Sequence, residues 1–221
     1  MFTGIVQTTA QILDSTPTET GRRLTVQRGT LQGEVNHGDS ICVSGVCLTA
    51  VEITTEQLGF DVIHETLMKT SIGQLEVGGL VNLEPAVTPS QPMGGHFMQG
   101  HVDGLAVIKA IHTDEGEWRV TLKPDTGAEG LMDYIIPRGS VAIDGISLTL
   151  ARVSEDSFDV ALIPATLDLT TLGQRKVGER VNIEADILAK TIVHQMHRMR
   201  GKGSDKRAVT IELLREAGFV D

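Results

Sequence analysis

Short apolar segments recur along the whole chain, some as brief runs and some alternating with polar residues, and Gly, Asn, Asp and Ser separate them. Such segments are typical of β-strands bounded by turns. In the first half they predict strands over Ile5–Ile12, Arg23–Gln27, Ser40–Val43, Cys47–Ile53, Gly59–Ile63 and Val81–Leu83. In the second half they predict strands over Val102–Ala110, Trp118–Leu122, Ser140–Ile143, Ser147–Val153, Phe158–Ile163 and Val181–Ile183. Short strands in this number favour a small closed barrel in each half, which leaves no strand edge exposed.

The second half of the sequence repeats the first. Ser40–Val51 aligns with Ser140–Ala151 at an offset of 100 residues. Thr66–Glu84 aligns with Thr166–Glu184 without a gap, and ten of these nineteen positions are identical. A match sustained in one register indicates a duplicated unit. The sequence therefore predicts an all-β protein with two tandem six-stranded, Greek-key-like β-barrels, plus a C-terminal α-helix.

The hydrophobic periodicity changes after Asp186. Apolar residues recur there at helical spacing, which predicts an amphipathic helix over residues 186–200. These residues are Ile187, Leu188, Ile192, Met196 and Met199. Such a stripe packs either on its own barrel or on copies of itself, and we favour the second, an oligomerisation helix. Residues 201–221 form an extra tail whose helical patch, Val209–Ala217, has no readable role.

Two shorter helices and a linker complete the predicted organisation. Thr66–Ile72 and Thr166–Leu172 are each predicted to form a short helix before a glycine. Val87–Gly95 has the Pro, Ser and Gly content of a linker. We therefore place the N-terminal barrel at residues 1–96 and the C-terminal barrel at residues 97–185.

Composition and charge narrow the function classes. The 221 residues are 40% hydrophobic and 22% charged, which indicates a globular protein. No apolar run reaches the roughly 18–20 residues of a membrane span, and the N-terminus lacks the pattern of a signal peptide. We therefore expect a cytoplasmic protein without a membrane partner. A formal charge of −10 argues against a nucleic-acid surface, and the basic stretch Arg198–Arg207 is better explained as a solvated tail.

The cysteines and histidines indicate neither a disulfide nor a metal site. Cys42 and Cys47 are five positions apart, so on one strand they would point to opposite faces. His96 and His101 are also five apart with no third ligand in sight, so we expect no metal there. The sequence lacks GxSxG, Walker A, HExxH and CxxC motifs as well.

Two further sets of residues have simple structural interpretations. His194 and His197 lie three apart on the predicted C-terminal helix, where we expect them on its surface face. Gly94 and Gly95 are explained by linker flexibility rather than by a phosphate cradle, because no helix N-terminus follows them.

Small polar residues at matched positions of the two copies are the remaining candidates for chemistry. They form the pairs Thr49/Thr149, Thr66/Thr166 and Cys47/Ser147, each beside aliphatic neighbours. A single Thr is explained by its preference for strands and helix caps. For threonines at matched positions of both copies, a shared small-molecule pocket explains the pattern as well as strand and cap preferences do. In such a pocket, buried hydroxyls bond to a ligand. Because only 3% of the residues are aromatic, a flat ring ligand would lie between aliphatic side chains and backbone.

Four segments closely resemble the riboflavin synthase family. They are MFTGIVQ at Met1–Gln7, GGHFMQGHVDG at Gly94–Gly104, IDGISLTL at Ile143–Leu150 and IPATLDLTTLG at Ile163–Gly173. The resemblance implies a homotrimer in which each barrel binds one 6,7-dimethyl-8-ribityllumazine, and in which the N-barrel of one subunit meets the C-barrel of its neighbour. It further implies transfer of a four-carbon unit between two lumazines, giving riboflavin and 5-amino-6-(ribitylamino)uracil without a metal or cofactor. Lumazine synthase is a candidate protein partner.

The resemblance also assigns binding residues to each barrel. The N-barrel pocket would comprise Gly4, Ile5, Val6, Cys47, Leu48, Thr49, Asp61, Val62, Ile63, His64, Glu65 and Thr66. The C-barrel pocket would comprise Gly100, His101, Val102, Arg138, Ser147, Leu148, Thr149, Ala161, Leu162, Ile163, Pro164, Ala165 and Thr166.

The two implied pockets differ at the positions that would decide the chemistry. Ser147 aligns with Cys47, and His101 aligns with Ile5. We take Ser147 and His101 as the polar pair that moves protons or activates water, and Cys47 as a third candidate catalytic residue. Phe2 is expected to close the neighbouring subunit's site.

Two positions depart from some members of the family. At the position of Val46, some members have a cysteine directly before the one that corresponds to Cys47. Arg138 stands where some have Lys, which keeps the charge and changes its geometry.

The main alternative is a non-catalytic carrier of lumazine or flavin with the same duplicated fold. Such carriers degrade the C-terminal pocket, whereas Ile143–Thr149 and the segment around Thr166 are intact here, which favours the enzyme. A purely structural module of paired barrels would not need matched threonines beside apolar strands.

Overall fold

The computed structural model describes residues 1–114, 117–203 and 215, and most of its elements are strands. The strands are β1 Thr8–Thr18, β2 Gly21–Gln27, β3 Ser40–Val43, β4 Val46–Ile53, β5 Gln57–Ile63, β6 Leu80–Pro85, β7 Gly104–Asp114, β8 Glu117–Pro124, β9 Ser140–Ile143, β10 Ile146–Val153, β11 Phe158–Leu162 and β12 Arg180–Ala185. The α-helices are α1 His64–Lys69, α2 Pro164–Leu169 and α3 Ile187–Gly203. Short 3₁₀ helices cover Ser71–Gln74, Glu129–Tyr134 and Thr171–Gln174.

The described strands close into two antiparallel barrels with the same strand order. The order is β1-β2-β5-β4-β3-β6 in the N-terminal barrel and β7-β8-β11-β10-β9-β12 in the C-terminal barrel. The pairing register shifts at matched points, between Ala50 and Glu52 in β4 and between Leu150 and Arg152 in β10. The predicted fold class, two tandem six-stranded β-barrels followed by a helix, is confirmed.

Each barrel encloses its own core of aliphatic side chains. In β4 the side chains of Val46, Leu48 and Ala50 are buried, while the alternate residues Cys47 and Thr49 lie on the outer face. This period of two is the one that a strand with a single buried face requires. The outer faces of the strands are therefore the surfaces on which a site can form.

The first strand of each barrel begins later than the sequence predicted. β1 begins at Thr8 rather than Ile5, and β7 begins at Gly104 rather than Val102. In both cases a buried carboxylate holds the start of the opening segment, and backbone pairing with the neighbouring strand starts only at Gln7, whose N–H donates to Leu83 O, and at Asp103, whose N–H donates to Ile183 O. Glu84 accepts hydrogen bonds from Thr3 N and Gly4 N. Glu184, the matched residue of the second barrel, accepts hydrogen bonds from Gln99 N and Gly100 N. The carboxylate bonds therefore hold residues 3–4 and 99–101 ahead of the point where strand pairing begins.

The short helices also begin earlier than predicted, at His64 and Pro164. Each ends at a matched threonine, Thr70 or Thr170, whose hydroxyl accepts a hydrogen bond from the backbone two residues later. A 3₁₀ turn follows in both copies. The predicted helices over 66–72 and 166–172 are therefore each two short helices separated by a capping threonine.

The two barrels are joined by a pair of matched asparagines. Asn82 Nδ2 donates to Asp144 O at 2.8 Å, and Asn182 Nδ2 donates to Ser44 O at 2.8 Å. The Asn182 Oδ1 atom also accepts from Ser71 N at 2.7 Å. All of these groups are buried, so each asparagine side chain supplies hydrogen bonds to backbone groups that water cannot reach.

Replacement of Asn182 by alanine is expected to lower the free energy of unfolding by about 2–4 kcal/mol. The change leaves Ser71 N and Ser44 O buried without partners, and each such group costs about 1–3 kcal/mol. Urea titration checks this, with the exposed Asn36→Ala variant as control. A loss for Asn182→Ala no greater than that of the control would contradict the assigned role.

The C-terminal helix α3 leaves its apolar stripe largely uncovered. Leu188, Ile192, Met196 and Met199 are exposed, and Ala189 is buried. Within the described residues, no helix combines the length and apolar content that crossing a bilayer requires. The predicted patch Val209–Ala217 lies outside the described residues, apart from the single residue Arg215.

Candidate functional site

The opening segments of the two copies, which align at an offset of 96 residues from Gly4 and Gly100, cross over to the opposite barrels. Ser147 N, on the C-terminal barrel, donates to Gly4 O at 2.9 Å. Cys47 N, on the N-terminal barrel, donates to Gly100 O at 2.8 Å. An added Cβ at Gly4 would clash with Ser147, so the approach requires glycine.

Hydrophobic packing shows the same exchange. Val6 packs against the core of the C-terminal barrel, and Val102 packs against the core of the N-terminal barrel. The predicted grouping of Gly4, Ile5 and Val6 with Cys47 is therefore wrong. The predicted grouping of Gly100, His101 and Val102 with Ser147 within one chain is wrong for the same reason.

Two surfaces result, and we name them by their central residues. The Ser147 face combines the outer side of β10 and β11 with residues 4–6, and the Cys47 face combines the outer side of β4 and β5 with residues 100–102. The grouping error arose because the sequence repeat aligns each opening segment with its own barrel. Alignment of two copies cannot reveal that the segments are exchanged.

Buried carboxylates hold both opening segments. Glu84 accepts from Thr3 N at 2.7 Å and from Gly4 N at 3.0 Å. Glu184 accepts from Gln99 N at 2.7 Å, and also from the next two backbone N–H groups at 2.9 and 3.1 Å. Burial raises the pKa of both carboxyl groups, and the donated hydrogen bonds oppose that rise. The repeat contains this signal, because Glu84 and Glu184 are identical, but sequence reasoning did not use it.

The predicted site residues divide into outward and inward side chains. The outward, exposed or half-buried ones are Cys47, Thr49, Asp61, Ile63, Ser147, Thr149, Ala161 and Ile163. The inward ones belong to the barrel cores and can offer a ligand only their backbone. They are Leu48, Val62, Leu148 and Leu162.

The helix residues among the predicted set follow the same strands. His64, Glu65, Pro164 and Ala165 are exposed at the starts of α1 and α2, and Thr66 and Thr166 are half-buried. The expectation of buried threonine hydroxyls is wrong for Thr49 and Thr149, whose side chains are exposed.

Both candidate faces are open surfaces rather than closed pockets. A cleft lined by Met68, Asp103 and Asp125 contains only Val102 from the predicted set. At the faces themselves, large apolar side chains are exposed: Ile5 at 52%, Ile63 at 54% and Ile163 at 65%. A ligand bound there would be covered on one side only, so a second surface is needed to enclose it.

A histidine that sequence reasoning considered only as a metal ligand is bonded to Ser147. His96 Nδ1 lies 2.7 Å from Ser147 Oγ, and the His96 side chain is 9% exposed. Burial lowers the pKa of His96, while the charge of Asp186 acts weakly in the other direction. This shift favours the neutral imidazole, the form that can take a proton from the hydroxyl. Its Nε2 atom is buried and has no hydrogen-bond partner within the described residues.

The two faces are chemically unlike. On the Cys47 face a half-buried thiol replaces the hydroxyl of Ser147. His101 lies in the segment beside Cys47, its side chain is exposed, and its backbone N–H donates to Glu184. The predicted pair of Ser147 and His101 is therefore not formed within one chain, and His96 takes the place beside Ser147.

The linker interpretation of Gly94 and Gly95 is wrong for Gly95. A Cβ there would overlap the Thr3 carbonyl oxygen and the Ser147 side chain, so the residue is selected for close packing. Phe2 pairs with Met98 through two backbone hydrogen bonds and is 0% exposed. The expectation that Phe2 closes a neighbouring site is therefore wrong, because its ring is buried within its own chain.

Arg138 occupies a strained turn next to β10. Its φ is 65° in the left-handed region, its side chain is exposed, and its N–H donates to Leu150 O. The matched turn of the first barrel has Gly38, which adopts this conformation without strain. Because glycine would fit this conformation with less strain, Arg138 is a candidate for a role that uses its charge.

Other predicted positions have simpler outcomes. His194 and His197 are exposed on α3, as expected. No group of three metal-ligating side chains occurs within the described ranges. Cys42 and Cys47 lie opposite each other on β3 and β4, so the condition of a shared strand, under which no disulfide was expected, is not met; both are free thiols.

Residues 3–86 and 99–186 each match the lumazine binding domain family. Structurally, the chain is similar to LumP complexed with 6,7-dimethyl-8-(1'-D-ribityl) lumazine, with a TM-score of 0.74 and 26% identity over 84% of this chain and 99% of that one. LumP complexed with riboflavin gives a TM-score of 0.73 and 27% identity over the same shares of the two chains. The fold and both matched segments place the chain among proteins built from paired lumazine-binding barrels.

Curated relatives show which family within that class the chain belongs to. The chain is 35% identical to the riboflavin synthase of Bacillus subtilis (strain 168), across 99% of this chain and 100% of the relative. It is 40% identical to the riboflavin synthase of Escherichia coli (strain K12), across 90% and 93%. It is also 40% identical to that of Mycobacterium bovis, across 89% and 98%. The chain belongs to the riboflavin synthase family and is a transferase.

Proposed function

We propose that the protein converts two molecules of 6,7-dimethyl-8-ribityllumazine into riboflavin and 5-amino-6-(ribitylamino)uracil by moving a four-carbon unit from one to the other. The observation that carries the proposal is the difference between the two faces. Ser147 is hydrogen-bonded to the buried His96, whereas its counterpart is the thiol of Cys47. Two identical substrates must play different roles, and unlike binding faces impose that difference.

The hydroxyl–imidazole pair supplies the proton transfers. The 7-methyl group of lumazine is an acidic carbon acid because its anion delocalises into the ring, so only modest base strength is needed. His96 takes a proton through Ser147, or activates a water beside it, and returns the proton later in the reaction. Holding the two rings face to face supplies the remaining acceleration.

The complete site is formed between two chains. Each face is open and exposes an isoleucine, so a lumazine bound on one face is enclosed when the other face of a neighbouring chain meets it. This arrangement brings His101 of the Cys47 face opposite Ser147 of the neighbour. The exposed stripe of α3 fits the contact of a homotrimer. The homotrimer, a cytoplasmic location and a complex with lumazine synthase stay predictions.

The remaining predicted residues act as binding groups in this proposal. On the Cys47 face these are Thr49, Asp61, Ile63, His64, Glu65, Thr66, Gly100, His101 and Val102. On the Ser147 face these are Gly4, Ile5, Val6, Arg138, Thr149, Ala161, Ile163, Pro164, Ala165 and Thr166. Backbone groups of the inward residues can bind the polar edge of each ring, which agrees with the aromatic-poor sequence.

A non-catalytic carrier is the second candidate, because the chain also resembles LumP in complexes with lumazine and riboflavin. Incubation of the protein with the lumazine alone separates the two functions. The enzyme produces riboflavin absorbance and consumes two lumazines for each riboflavin formed. A carrier binds lumazine and forms no riboflavin.

The pH dependence of kcat/KM tests the role of His96. Its protonated ring cannot accept the Ser147 proton, so kcat/KM falls on the acid side of its pKa. Because burial lowers that pKa, the midpoint of the fall is expected below the ordinary histidine value of about 6.5. Steady-state kinetics across the acidic range measure it, with His96→Ala as the variant that loses this limb. A midpoint above the ordinary value would contradict the assignment.

Replacement of Arg138 by glycine is expected to weaken lumazine binding while changing the free energy of unfolding by less than about 1 kcal/mol. Relief of the left-handed strain is offset by the greater backbone entropy that glycine loses on folding. The KM for lumazine rises because the guanidinium is lost. Kinetics and urea titration measure the two effects, and an unchanged KM would remove Arg138 from the site.

A further inference from the structure

Cys42 and Cys47 face each other across a tight hairpin. Strands β3 and β4 are joined by Ser44 and Gly45, whose φ angles of 44° and 86° form a two-residue turn of the I′ type. The register pairs Val43 with Val46 next to the turn, and Cys42 with Cys47 after it. Directly opposed residues of an antiparallel pair point to the same face of the sheet.

The cysteine pair occupies a position where the backbones approach most closely. Pairs alternate along an antiparallel ladder, and the pair flanking a two-residue turn is the hydrogen-bonded one. The next pair is therefore not hydrogen-bonded across the strands, and Cys47 N accordingly donates to Gly100 O. The Cα atoms of such a pair lie about 4.5 Å apart, within the range of about 4.4–6.8 Å that a disulfide spans.

The two thiols have different environments. Cys42 is 2% exposed and packs with Phe2, Met98 and Ala142, and Cys47 packs against the same cluster while remaining partly accessible. Burial raises the pKa of the Cys42 thiol well above its ordinary range. An oxidant from solution therefore meets Cys47 first, and Cys42 is placed beneath it as the thiol that reacts second.

The second barrel carries neither thiol. Ala142 and Ser147 stand at the matched positions and are paired in the same register. The fold therefore does not require a cysteine at either position. The pair distinguishes the Cys47 face from its duplicate.

We infer that Cys42 and Cys47 form a redox-sensitive dithiol, which a peroxide converts into a cross-strand disulfide that withdraws Cys47 from the ligand-facing surface. The Cys47 thiolate attacks one peroxide oxygen, the O–O bond breaks, and Cys47 becomes a sulfenic acid while hydroxide leaves. Cys42 sulfur then attacks the Cys47 sulfur, and the sulfenic oxygen leaves as water with the Cys42 proton. Two thiols lose two electrons, and one hydrogen peroxide is reduced to two waters.

The consequence for catalysis rests on the proposed function. If lumazine lies on the Cys47 face, the disulfide draws the Cys47 sulfur towards Cys42 and away from the ring. Lumazine affinity of that face is then expected to fall by at least about tenfold, and a reducing dithiol restores it. Bound lumazine should also cover Cys47 and slow its oxidation.

The test treats the full-length protein with hydrogen peroxide and follows intact mass, peptide linkage and riboflavin formation before and after dithiothreitol. The wild-type chain is expected to lose two hydrogens, to yield a linked Cys42–Cys47 peptide, and to lose turnover reversibly. The Cys42→Ala variant copies Ala142 of the second barrel and lacks the second thiol. Its Cys47 should instead gain oxygen and proceed to a sulfinic acid that dithiothreitol does not reduce.

Three outcomes would overturn the inference. One is oxygen addition at Cys47 in the wild-type chain without loss of hydrogens. Another is a disulfide between two chains on a non-reducing gel, and the third is a Cys42→Ala variant that responds like the wild type. The mass of the linked peptide reports the disulfide directly, so the inference is tested even if the untreated protein forms no riboflavin. A failure of the untreated protein to form riboflavin would count against the proposed function alone.

Discussion

Replacing Ser147 or His96 with alanine is expected to lower turnover by about 10²–10⁴-fold while lumazine still binds to the Cys47 face. Ser147 Oγ and His96 Nδ1 are 2.7 Å apart and act as one proton-transfer unit. Removal of either group should therefore cost about as much as removal of both, since residues that act as a unit are not additive. Single-turnover kinetics with lumazine, combined with a fluorescence titration of binding, separate the two effects.

A matched control comes from the same barrel. Ser154 is exposed in the turn after β10, and its replacement by alanine should leave turnover unchanged. His101→Ala is expected to lower turnover as well, through its place opposite Ser147 of the neighbouring chain. Full activity of Ser147→Ala and His96→Ala would remove this pair from the mechanism.

The Glu184→Ala variant is expected to raise the KM for lumazine strongly and to lower the free energy of unfolding by about 2–4 kcal/mol. Three backbone N–H groups of Gln99, Gly100 and His101 lose their acceptor. A buried unpaired donor such as Gly100 N costs about 1–3 kcal/mol, and the two part-buried donors cost less. Loss of the buried charge offsets part of that cost, because burial already raises the pKa of Glu184. The opening segment then loses its fixed position beside Cys47.

Glu84→Ala is the matched comparison, since it frees Thr3 and Gly4 at the Ser147 face. Urea titration is expected to show similar losses of stability for both variants. Kinetics should differ, with kcat reduced more for Glu84→Ala because the released segment lies against Ser147. Equal KM and kcat for both variants and the wild type would contradict the role of these carboxylates.

Much of the fold could be predicted because the sequence contains two copies of one strand pattern. The alignment of Ser40–Val51 with Ser140–Ala151 established the register, and β3 and β9 occur at the bounds that the pattern predicted. Strand boundaries were less accurate where side chains compete with strand pairing. Glu84 and Glu184 are such cases, since their carboxylates bind the N–H groups of residues 3–4 and 99–101, and backbone pairing with β6 and β12 starts only after these residues.

The candidate site was only partly predictable, because its arrangement depends on contacts between distant segments. Exchange of the opening segments joins Gly4 to Ser147 and Gly100 to Cys47, and no local pattern encodes that exchange. His96 has no counterpart signal in the repeat, so its bond to Ser147 appears only in three dimensions. Matched small polar residues did locate the correct strand faces, since Cys47 and Ser147 both point outward.

The shared site between unlike faces is tested most directly by mixing two impaired variants. In Ser147→Ala the Cys47 face is intact, and in Glu184→Ala the Ser147 face is intact. If a site combines the two faces from different chains, mixed oligomers formed by co-expression regain about a quarter of wild-type activity. Each intact face is present in half of the chains, so about a quarter of the sites contain both intact faces. Activity no higher than the average of the two parent variants would contradict a site shared between chains.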